Sequence, residues 1–227
     1  MTKPLVSVII TVYNGERYLA EAIESVLAQT QKPNEIIVVD GESQDNTEKI
    51  ARSYRQVHFI RESVRGLANA RNMGINVCQG ELIAFLDHDD RWTPNKLKVQ
   101  IDYLINNPKI QYVNALVKIF LEPGCTLRLG YTRKSLNRAM IGRTPGTLIA
   151  RKSLFDRIGG FSADFVIGCD VEWFTRAKDN NIPMTVIPEV LLYKRLHNTN
   201  LSGNVQVNRQ ELFTIVKQSI MHHRKVT

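Results

Sequence analysis

The segment Leu82–Asp90, LIAFLDHDD, joins five apolar residues to three carboxylates and a histidine. A short apolar run of this kind is typical of a buried strand. The acidic residues follow the carboxyl end of that strand, where open α/β sheets bind their ligands. Carboxylates this close repel each other, so a divalent cation such as Mg²⁺ or Mn²⁺ among them is one interpretation. The other is an acidic helix start, because Asp is common there and Thr93-Pro94 predicts the beginning of a helix.

The overall composition is that of one globular protein. With 227 residues, of which 43% are apolar and 23% charged, the chain can bury a substantial core. No apolar run approaches the roughly 18 residues that a membrane span needs, and Met1–Pro4 leads into a strand rather than a signal peptide. Cys78, Cys125 and Cys169 are far apart and lack metal-ligand spacing. We therefore expect a reduced, cytoplasmic protein.

The formal charge of +8 and the isoelectric point near 9.5 predict an anionic partner. Nucleic acid, acidic lipid head groups and nucleotide diphosphates all meet that description. The sequence has neither a recognition-helix motif nor an aromatic and glycine-rich RNA-binding signature, so we do not expect nucleic acid. A terminal helix over Val205–His223 has a basic end, and it either packs on the domain or contacts an anionic membrane surface.

The first half of the chain alternates strand and helix patterns. The predicted strands are Leu5–Thr11, Glu35–Asp40, Val57–Arg61 and Glu81–Leu86, and the predicted helices are Glu16–Gln29, Gln44–Tyr54 (with Ser43 as N-cap), Gly66–Cys78 and Pro94–Asn106. This alternation predicts an α/β fold with a mainly parallel sheet covered by helices on both faces. Right-handed crossovers then bring the carboxyl ends of the strands to one edge. Asp40, the acidic cluster and the Thr11–Asn14 turn should meet there.

The second half is less regular, and we predict that it belongs to the same domain. Its predicted elements are a strand at Ile110–Phe120, a polar loop at Glu122–Lys134, a short strand at Thr147–Ala150, helices at Arg151–Arg157 and Asp170–Lys178, and one or two strands within Ile182–Tyr193 broken by Pro188. No low-complexity linker separates the two halves.

Four polar residues outside the acidic cluster are candidate site residues, each with a plainer alternative. Asp40 ends a strand and either binds a nucleobase or ribose or accepts amides of its own turn. Arg71 either pairs with a diphosphate or is an ordinary surface arginine. Asp170 is either a helix N-cap or a general base acting on a hydroxyl. His197 is either a satisfied surface histidine or a metal or phosphate ligand.

Taken together, these motifs resemble the inverting family 2 glycosyltransferases, from Val6 to Ser202. Val6–Asn14 (VSVIITVYN) is similar to the first nucleotide-binding strand and loop of that family. Asp40–Thr47 (DGESQDNT) resembles its nucleobase motif, although the second Asp of the commonest version is Gly41 here. Gly66–Gly74 (GLANARNMG) resembles the segment that carries an arginine toward the nucleotide.

The acidic cluster and the later helix complete the resemblance. Asp87-His88-Asp89 matches the D-x-D metal motif of the family. Asp170 aligns with the catalytic base, but Cys169 takes the place of the Glu that usually precedes it, which makes Glu172 a rival for that role. Within the cluster we expect Asp87 and Asp89 to face the metal and Asp90 to cap the following helix.

The resemblance implies a single GT-A domain over residues 1–204, followed by a basic helix over 205–227. Residues 1–107 would bind the nucleotide sugar and 108–204 the acceptor. The implied site residues are Asp170 and Glu172 for catalysis, Thr11, Tyr13, Asp40, Arg71 and Asp87 for the donor, and Asp87, Asp89 and His197 for Mn²⁺ or Mg²⁺. The implied reaction moves one sugar, with inversion, from a nucleotide-diphosphate sugar (a UDP-sugar by default) to an acceptor hydroxyl of a cell-surface or lipid-linked glycan.

Three other classes of protein share some of these features. Sugar-1-phosphate nucleotidyltransferases carry a basic, glycine-rich loop after the first strand, whereas Thr11–Glu16 has one glycine and no Lys or Arg. Processive polysaccharide synthases carry membrane spans and a Q-x-x-R-W motif, and neither is present in this sequence. A non-catalytic nucleotide-sugar-binding protein of the same fold stays open, because the surroundings of Asp170 depart from the family pattern.

Overall fold

The first half of the chain alternates strands and helices, as the sequence predicts. The computed structural model describes residues 3–62, 64–127, 132–136, 138–201 and 205–226. The first elements are β1 (Val6–Val12), α1 (Leu19–Leu27), β2 (Glu35–Asp40), α2 (Thr47–Ser53), β3 (Val57–Arg61), α3 (Leu67–Val77) and β4 (Leu82–Asp87). β1 pairs in parallel with β2 and β4, and β2 with β3. These four strands form the regular half of the sheet.

The second half extends the same sheet. Its elements are β5 (Arg91–Trp92), α4 (Lys96–Asn106), β6 (Tyr112–Leu121), β7 (Ala139–Gly142), β8 (Ile149–Arg151), α5 (Lys152–Ile158), α6 (Cys169–Asp179), β9 (Met184–Leu196) and α7 (Val205–Val226). The strand order is β3-β2-β1-β4-β8-β6-β9-β5, with β7 beside β6. β8 is antiparallel to both β4 and β6, while β6 and β9 are parallel. One continuous sheet therefore confirms the prediction of a single α/β domain.

Helices cover both faces of the sheet because β1 alternates its side chains between two cores. Val8 and Ile10 pack on the face covered by α1, α2 and α4, whereas Ile9 packs on the face covered by α3, α5 and α6. The second core is rich in aromatic side chains, and Phe155 stacks on Trp173 of α6 with ring centroids 5.2 Å apart. This packing fixes the position of α6 against the sheet.

Several local predictions need correction. Ser43 does not cap α2, which begins four residues later; its hydroxyl instead accepts the amide of Asn14 at 2.7 Å. Pro188 does not divide the last strand, because a bulge opposite Ala115–Val117 absorbs it and β9 continues to Leu196. The short strands β5 and β7 are too brief to give a pattern in the sequence. The predicted loop and the domain boundary at 204 include residues 128–131 and 204, which lie outside the described residues.

The helices of the described ranges can be compared with what a membrane-spanning helix requires. None of the helices there combines the length and the apolar character that a bilayer crossing demands.

Candidate active site

Strand register brings the predicted acidic residues to one edge of the sheet. Thr11 lies opposite Asp87 in the β1–β4 pair, and Val12 lies opposite Asp40 in the β1–β2 pair. The turns after these strands also touch, since a Cβ added to Gly15 would lie 2.8 Å from the ring of His88. The predicted convergence of these strand ends is thus confirmed, and a side chain at position 15 would force the turns apart.

Asp87, Asp89 and Asp90 bring carboxylate oxygens within 4.8 Å of one another. Asp87 accepts a hydrogen bond from the buried guanidinium of Arg71 at 3.0 Å. Lys194 places its Nζ 3.9 Å from Asp87 and 3.6 Å from Asp90. One cation on each side partly offsets the repulsion between the three carboxylates.

Asp90 does not cap the helix that follows it, contrary to our expectation. It is 2% exposed, and its Oδ1 accepts the backbone amide of Arg195 at 2.8 Å. α4 begins six residues later and has no side-chain cap. Oδ2 of Asp90 is buried without a hydrogen bond from any described residue, and burial raises the pKa of this carboxyl while Lys194 opposes the rise. The loop that contains Asp90 is therefore bonded to β9 and not to the start of α4.

His197 lies beside the acidic cluster and contacts it through Asp89. Its Nε2 is 2.9 Å from Oδ2 of Asp89, while its Nδ1 accepts the amide of Thr199 at 3.3 Å. That second contact places the proton of a neutral ring on Nε2, which then donates to Asp89. Asn200 also donates to Oδ2 of Asp89, at 2.9 Å. Burial alone would raise the pKa of Asp89, but the bond from His197 and the charge of His88 lower it below its ordinary value.

Arg195 ties the cluster to the rest of the domain, and sequence reasoning missed it. Its Nε donates to the carbonyl of Asp89 at 2.9 Å, and its guanidinium pairs with Glu21 and Glu122. The guanidinium also lies 4.5 Å from the ring centroid of Tyr18. Lys194 and Asn200 were missed as well, and the only signal for all three is that they flank His197 in the sequence.

The β1 and β2 ends form a second polar region. Asp40 is fully buried, and its carboxylate accepts the amide of Ser43 at 3.2 and 3.3 Å and pairs with Arg61 at 3.4 Å. Tyr13 is 40% exposed, and the guanidinium of Arg65 lies 3.9 Å from its ring centroid. Thr11 is buried at the end of β1. An exposed aromatic ring beside a buried carboxylate suits a flat heterocycle that carries N–H donors.

Arg71 connects the acidic cluster to α6. One amino group of its guanidinium donates to Asp87, and the other lies 3.4 Å from Sγ of Cys169, the residue before Asp170. Arg71 is therefore buried and paired with protein groups rather than lying on the surface. Burial raises the pKa of Asp170 and the charge of Asp87 adds to this, while Arg71 and the amide of Val171 hold it down.

The two carboxylates of α6 have different surroundings. Oδ1 of Asp170 accepts the amide of Val171 at 2.8 Å, whereas Glu172 forms a two-point ion pair with Arg176 at 2.7 and 2.8 Å. Arg176 in turn donates to backbone carbonyls of the turn at 158–160. Glu172 thus holds a turn in place. Asp170, in contrast, is close enough to Arg71 and Asp87 for their charges to shift its pKa.

The start of α6 is fixed by Glu211 of α7, which sequence reasoning did not select. Its carboxylate accepts three consecutive backbone amides, those of residues 166, 167 and 168, at 2.7 to 3.0 Å. A carboxylate at this position also interacts favourably with the amino end of a helix. α7 therefore holds the segment from which Asp170 projects.

The donor set of the acidic cluster fits a hard divalent cation. Its candidate ligand atoms are carboxylate oxygens, and Oδ2 of Asp90 accepts no hydrogen bond within the described residues, although Nζ of Lys194 lies 3.6 Å from it. Such oxygens are the ligands that Mg²⁺ and Mn²⁺ prefer. The predicted ligands Asp87 and Asp89 belong to this group, while His197 reaches it through its bond to Asp89.

Comparison with known proteins identifies the family. The family model described as Glycosyl transferase family 2 matches residues 7–164. An uncharacterized glycosyltransferase of Rickettsia typhi is 34% identical over 92% of this chain and 69% of its own length. The Escherichia coli protein WfgD, a UDP-Glc:alpha-D-GlcNAc-diphosphoundecaprenol beta-1,3-glucosyltransferase, is 33% identical over 88% of this chain and 80% of its own.

The fold is also that of known structures. Residues 1–349 of S. aureus TarS, crystallised in complex with UDP-GlcNAc, have a TM-score of 0.75 to this chain at 21% identity, over 96% of this chain and 66% of that fragment. The chain spans 38% of the length of two further relatives, from Rickettsia conorii and Rickettsia felis. The strand order, the helices on both faces and the D-x-D cluster at the sheet edge agree with these matches. The chain belongs to glycosyl transferase family 2 and has the GT-A fold of the glycosyltransferases.

Proposed function

We propose that this chain transfers one sugar, with inversion, from a nucleotide-diphosphate sugar to an acceptor hydroxyl in a metal-dependent reaction. The observation that carries the proposal is the position of Arg71, which bonds to Asp87 of the acidic cluster and contacts Cys169 beside Asp170. One buried side chain thereby links the group that would face the leaving diphosphate to the group that would face the acceptor.

The donor would bind across the ends of β1, β2 and β4. Asp40 would accept an N–H of the nucleobase, and the ring of Tyr13 would lie against its face after Arg65 moves. Thr11 lines the end of β1 beside Asp87. Arg71 and Lys194 carry positive charge to the cluster and would stabilise the diphosphate beside it. The UDP-GlcNAc complex of TarS supports a UDP-sugar as donor.

Asp87 and Asp89 would hold Mn²⁺ or Mg²⁺, with Asp90 completing the oxygen set and His197 orienting Asp89. When bound there, a divalent cation neutralises the charge that builds on the leaving diphosphate. The hydrogen bonds from His197 and Asn200 keep Asp89 ionised and fix its orientation. Arg195 and Lys194 hold the loop in which these carboxylates lie.

Asp170 would act as the general base. It would take the proton of the acceptor hydroxyl as that oxygen attacks the anomeric carbon, and the bond from that carbon to the diphosphate would break on the opposite face. A raised pKa suits this role because a general base works best when its pKa approaches the working pH. Glu172, in contrast, is held by Arg176.

The test is release of the nucleoside diphosphate from a panel of nucleotide sugars with Mn²⁺. We expect Asp170→Asn to lower the rate by about 10² to 10⁴-fold, and Glu172→Gln, the matched change on the same helix, to leave most of it. A larger loss from Glu172→Gln than from Asp170→Asn would overturn the assignment of the base.

A lipid-linked or cell-surface glycan is the proposed acceptor. WfgD, which aligns with most of this chain, is described as acting on GlcNAc-diphosphoundecaprenol. The test offers undecaprenyl-diphosphate-linked GlcNAc, and the water-soluble sugar as a control, together with UDP-sugars. Faster diphosphate release with the lipid-linked acceptor supports the proposal, and equal rates with both acceptors contradict it.

The outer face of α7 is proposed to contact an anionic membrane. Ile215 packs this helix against the domain, whereas Phe213 is 80% exposed, Val216 56% and Ile220 49%. Basic residues, including Lys217, share the outer side, which is the composition of helices that lie in a membrane interface.

The unpaired cysteines favour a reducing compartment, so the inner, cytoplasmic leaflet is the proposed surface. Sedimentation with phosphatidylglycerol vesicles should depend on salt and be lost in Phe213→Ser; binding equal to that with neutral vesicles would contradict it.

The alternative is a nucleotide-sugar-binding protein without catalysis. The residue type at position 169 favours it, because a cysteine stands beside Asp170 where the family usually has an acid. Tight metal-dependent binding of UDP without turnover on any acceptor would support this alternative.

A further inference from the structure

Glu62 is a buried acid that the proposed reaction does not use. It follows β3, it is 2% exposed, and neither carboxyl oxygen has a hydrogen bond of good geometry within the residues that the structure describes, although the Gly66 amide faces the carboxyl. Its own amide donates to the carbonyl of Asp40 at 2.8 Å, so the two acids lie at neighbouring strand ends. A buried carboxyl without a partner is costly, which indicates that its partner comes from outside the protein.

Gly41 brings the turn after β2 close to this carboxyl. A Cβ added to Gly41 would lie 3.7 Å from Oε2 of Glu62, 3.8 Å from Cβ of Tyr13 and 3.5 Å from the carbonyl of Val12. Gly41 also stands where the commonest form of the nucleobase motif has a second Asp. Glu62 therefore brings a carboxyl from the end of β3 into van der Waals reach of any side chain at position 41, close to Cβ of Tyr13.

The charges around Glu62 favour its neutral form. Burial raises the pKa of Glu62 to about 7, Glu42 and Asp40 on the β2 side add to the rise, and the Gly66 amide before α3 opposes it. A neutral carboxyl has an O–H to donate, whereas Asp40, which accepts the Ser43 amide and pairs with Arg61, remains an acceptor. An acceptor beside a donor is the pattern that complements an imide N–H beside a carbonyl.

We propose that Glu62 is a base-recognition residue that donates its carboxyl O–H to a carbonyl oxygen of the nucleobase whose imide N–H is accepted by Asp40. This rests on the proposed donor site and narrows it to imide bases, of which uracil is the expected one. Cytosine presents the reverse pattern, because it has a ring nitrogen acceptor and an exocyclic amine in place of the imide N–H and the carbonyl. The pair of acids would therefore reject CDP.

The test is calorimetric titration of the protein with UDP and with CDP in the presence of Mn²⁺. Glu62→Met removes the donor and should raise the dissociation constant of UDP by about tenfold, with little change in that of CDP. Glu62→Gln keeps a donor in its amide and should hold the ratio of the two dissociation constants within about threefold of the wild type. Glu189→Gln, the same change at an exposed position of β9, is the control and should leave the ratio unchanged.

Thermal melting separates recognition from a structural role. Removal of a buried, unpartnered acid should raise the melting temperature of Glu62→Met, so a variant that melts higher and binds UDP more weakly supports the proposal. An unchanged UDP-to-CDP ratio in Glu62→Met, or a loss in Glu62→Gln as large as in Glu62→Met, overturns it. If the wild type binds neither nucleotide, the proposed function fails and this proposal fails with it.

Discussion

The strands β1–β4 and the segment from β9 to Asn200 contribute to the same site in different ways. The strands place acidic residues at their carboxyl ends, where Asp40 and Asp87 follow from parallel pairing alone. The later segment supplies the groups that hold those acids, namely Lys194, Arg195, His197 and Asn200. The carboxylates of the candidate site thus follow from a regular, local pattern, whereas their orientation depends on contacts more than 100 positions away in the chain.

The largest loss of activity should come from removing a carboxylate that follows β4. Asp89→Asn should lower diphosphate release by about 10³-fold, because an amide is a poor ligand for a divalent cation. The measurement is donor turnover at saturating Mn²⁺, with Asp102→Asn in an exposed ion pair of α4 as control. Turnover of Asp89→Asn at the wild-type rate would remove the acidic cluster from the site.

The next largest effect should come from the side that holds the acids. Arg195→Met should lower the free energy of unfolding by about 3 kcal/mol, because Glu122 keeps only the exposed Arg17 as a partner and the carbonyl of Asp89 loses its donor. Denaturant unfolding measures this change.

The control for Arg195 is a surface ion pair of the same type. Arg52→Met breaks the exposed pair with Glu48 and should leave the unfolding midpoint nearly unchanged. Equal effects of the two substitutions would show that Arg195 does not hold the loop.

A pH series tests the buried acid Glu62 at the end of β3. The folded pKa of Glu62 is raised to about 7, so between its unfolded value and pH 7 the folded state keeps a proton that the unfolded state releases. Stability should therefore fall as pH rises through this window, by about 1.4 kcal/mol per unit at most from this group. Glu62→Gln should show a flatter curve in urea unfolding between pH 5 and about 7, and identical slopes would contradict the assignment.

The smallest expected effect concerns α7. Glu211→Gln weakens the bonds to three amides before α6 and should lower kcat by about tenfold through displacement of Asp170. KM for the donor should stay unchanged, because the proposed donor contacts lie at the strand ends. Gln210→Ala, exposed on the same helix, is the control, and an equal change of kcat and KM in Glu211→Gln would indicate a general loss of structure instead.

Much of the fold of the first half of the chain could be predicted from the sequence. Alternating apolar strands and amphipathic helices gave the order and the shared edge, because parallel pairing depends on local patterns. The role of Asp90 could not be predicted, since the partner that its carboxylate finds is an amide of β9. Glu62 and Glu211 were missed for the same reason: a buried acid and a surface acid look alike in a sequence until the fold shows what lies in front of them.

The proposed reaction is an inverting displacement with Asp170 as base. Slow hydrolysis of the donor, in which water replaces the acceptor hydroxyl, tests this claim without a known acceptor. Proton NMR can follow UDP-α-glucose with Mn²⁺ and distinguish the anomers of released glucose before they equilibrate. We expect β-glucose to appear first, and Asp170→Asn to abolish its formation while UDP binding persists. Release of α-glucose first, or full hydrolysis by Asp170→Asn, would contradict the claim.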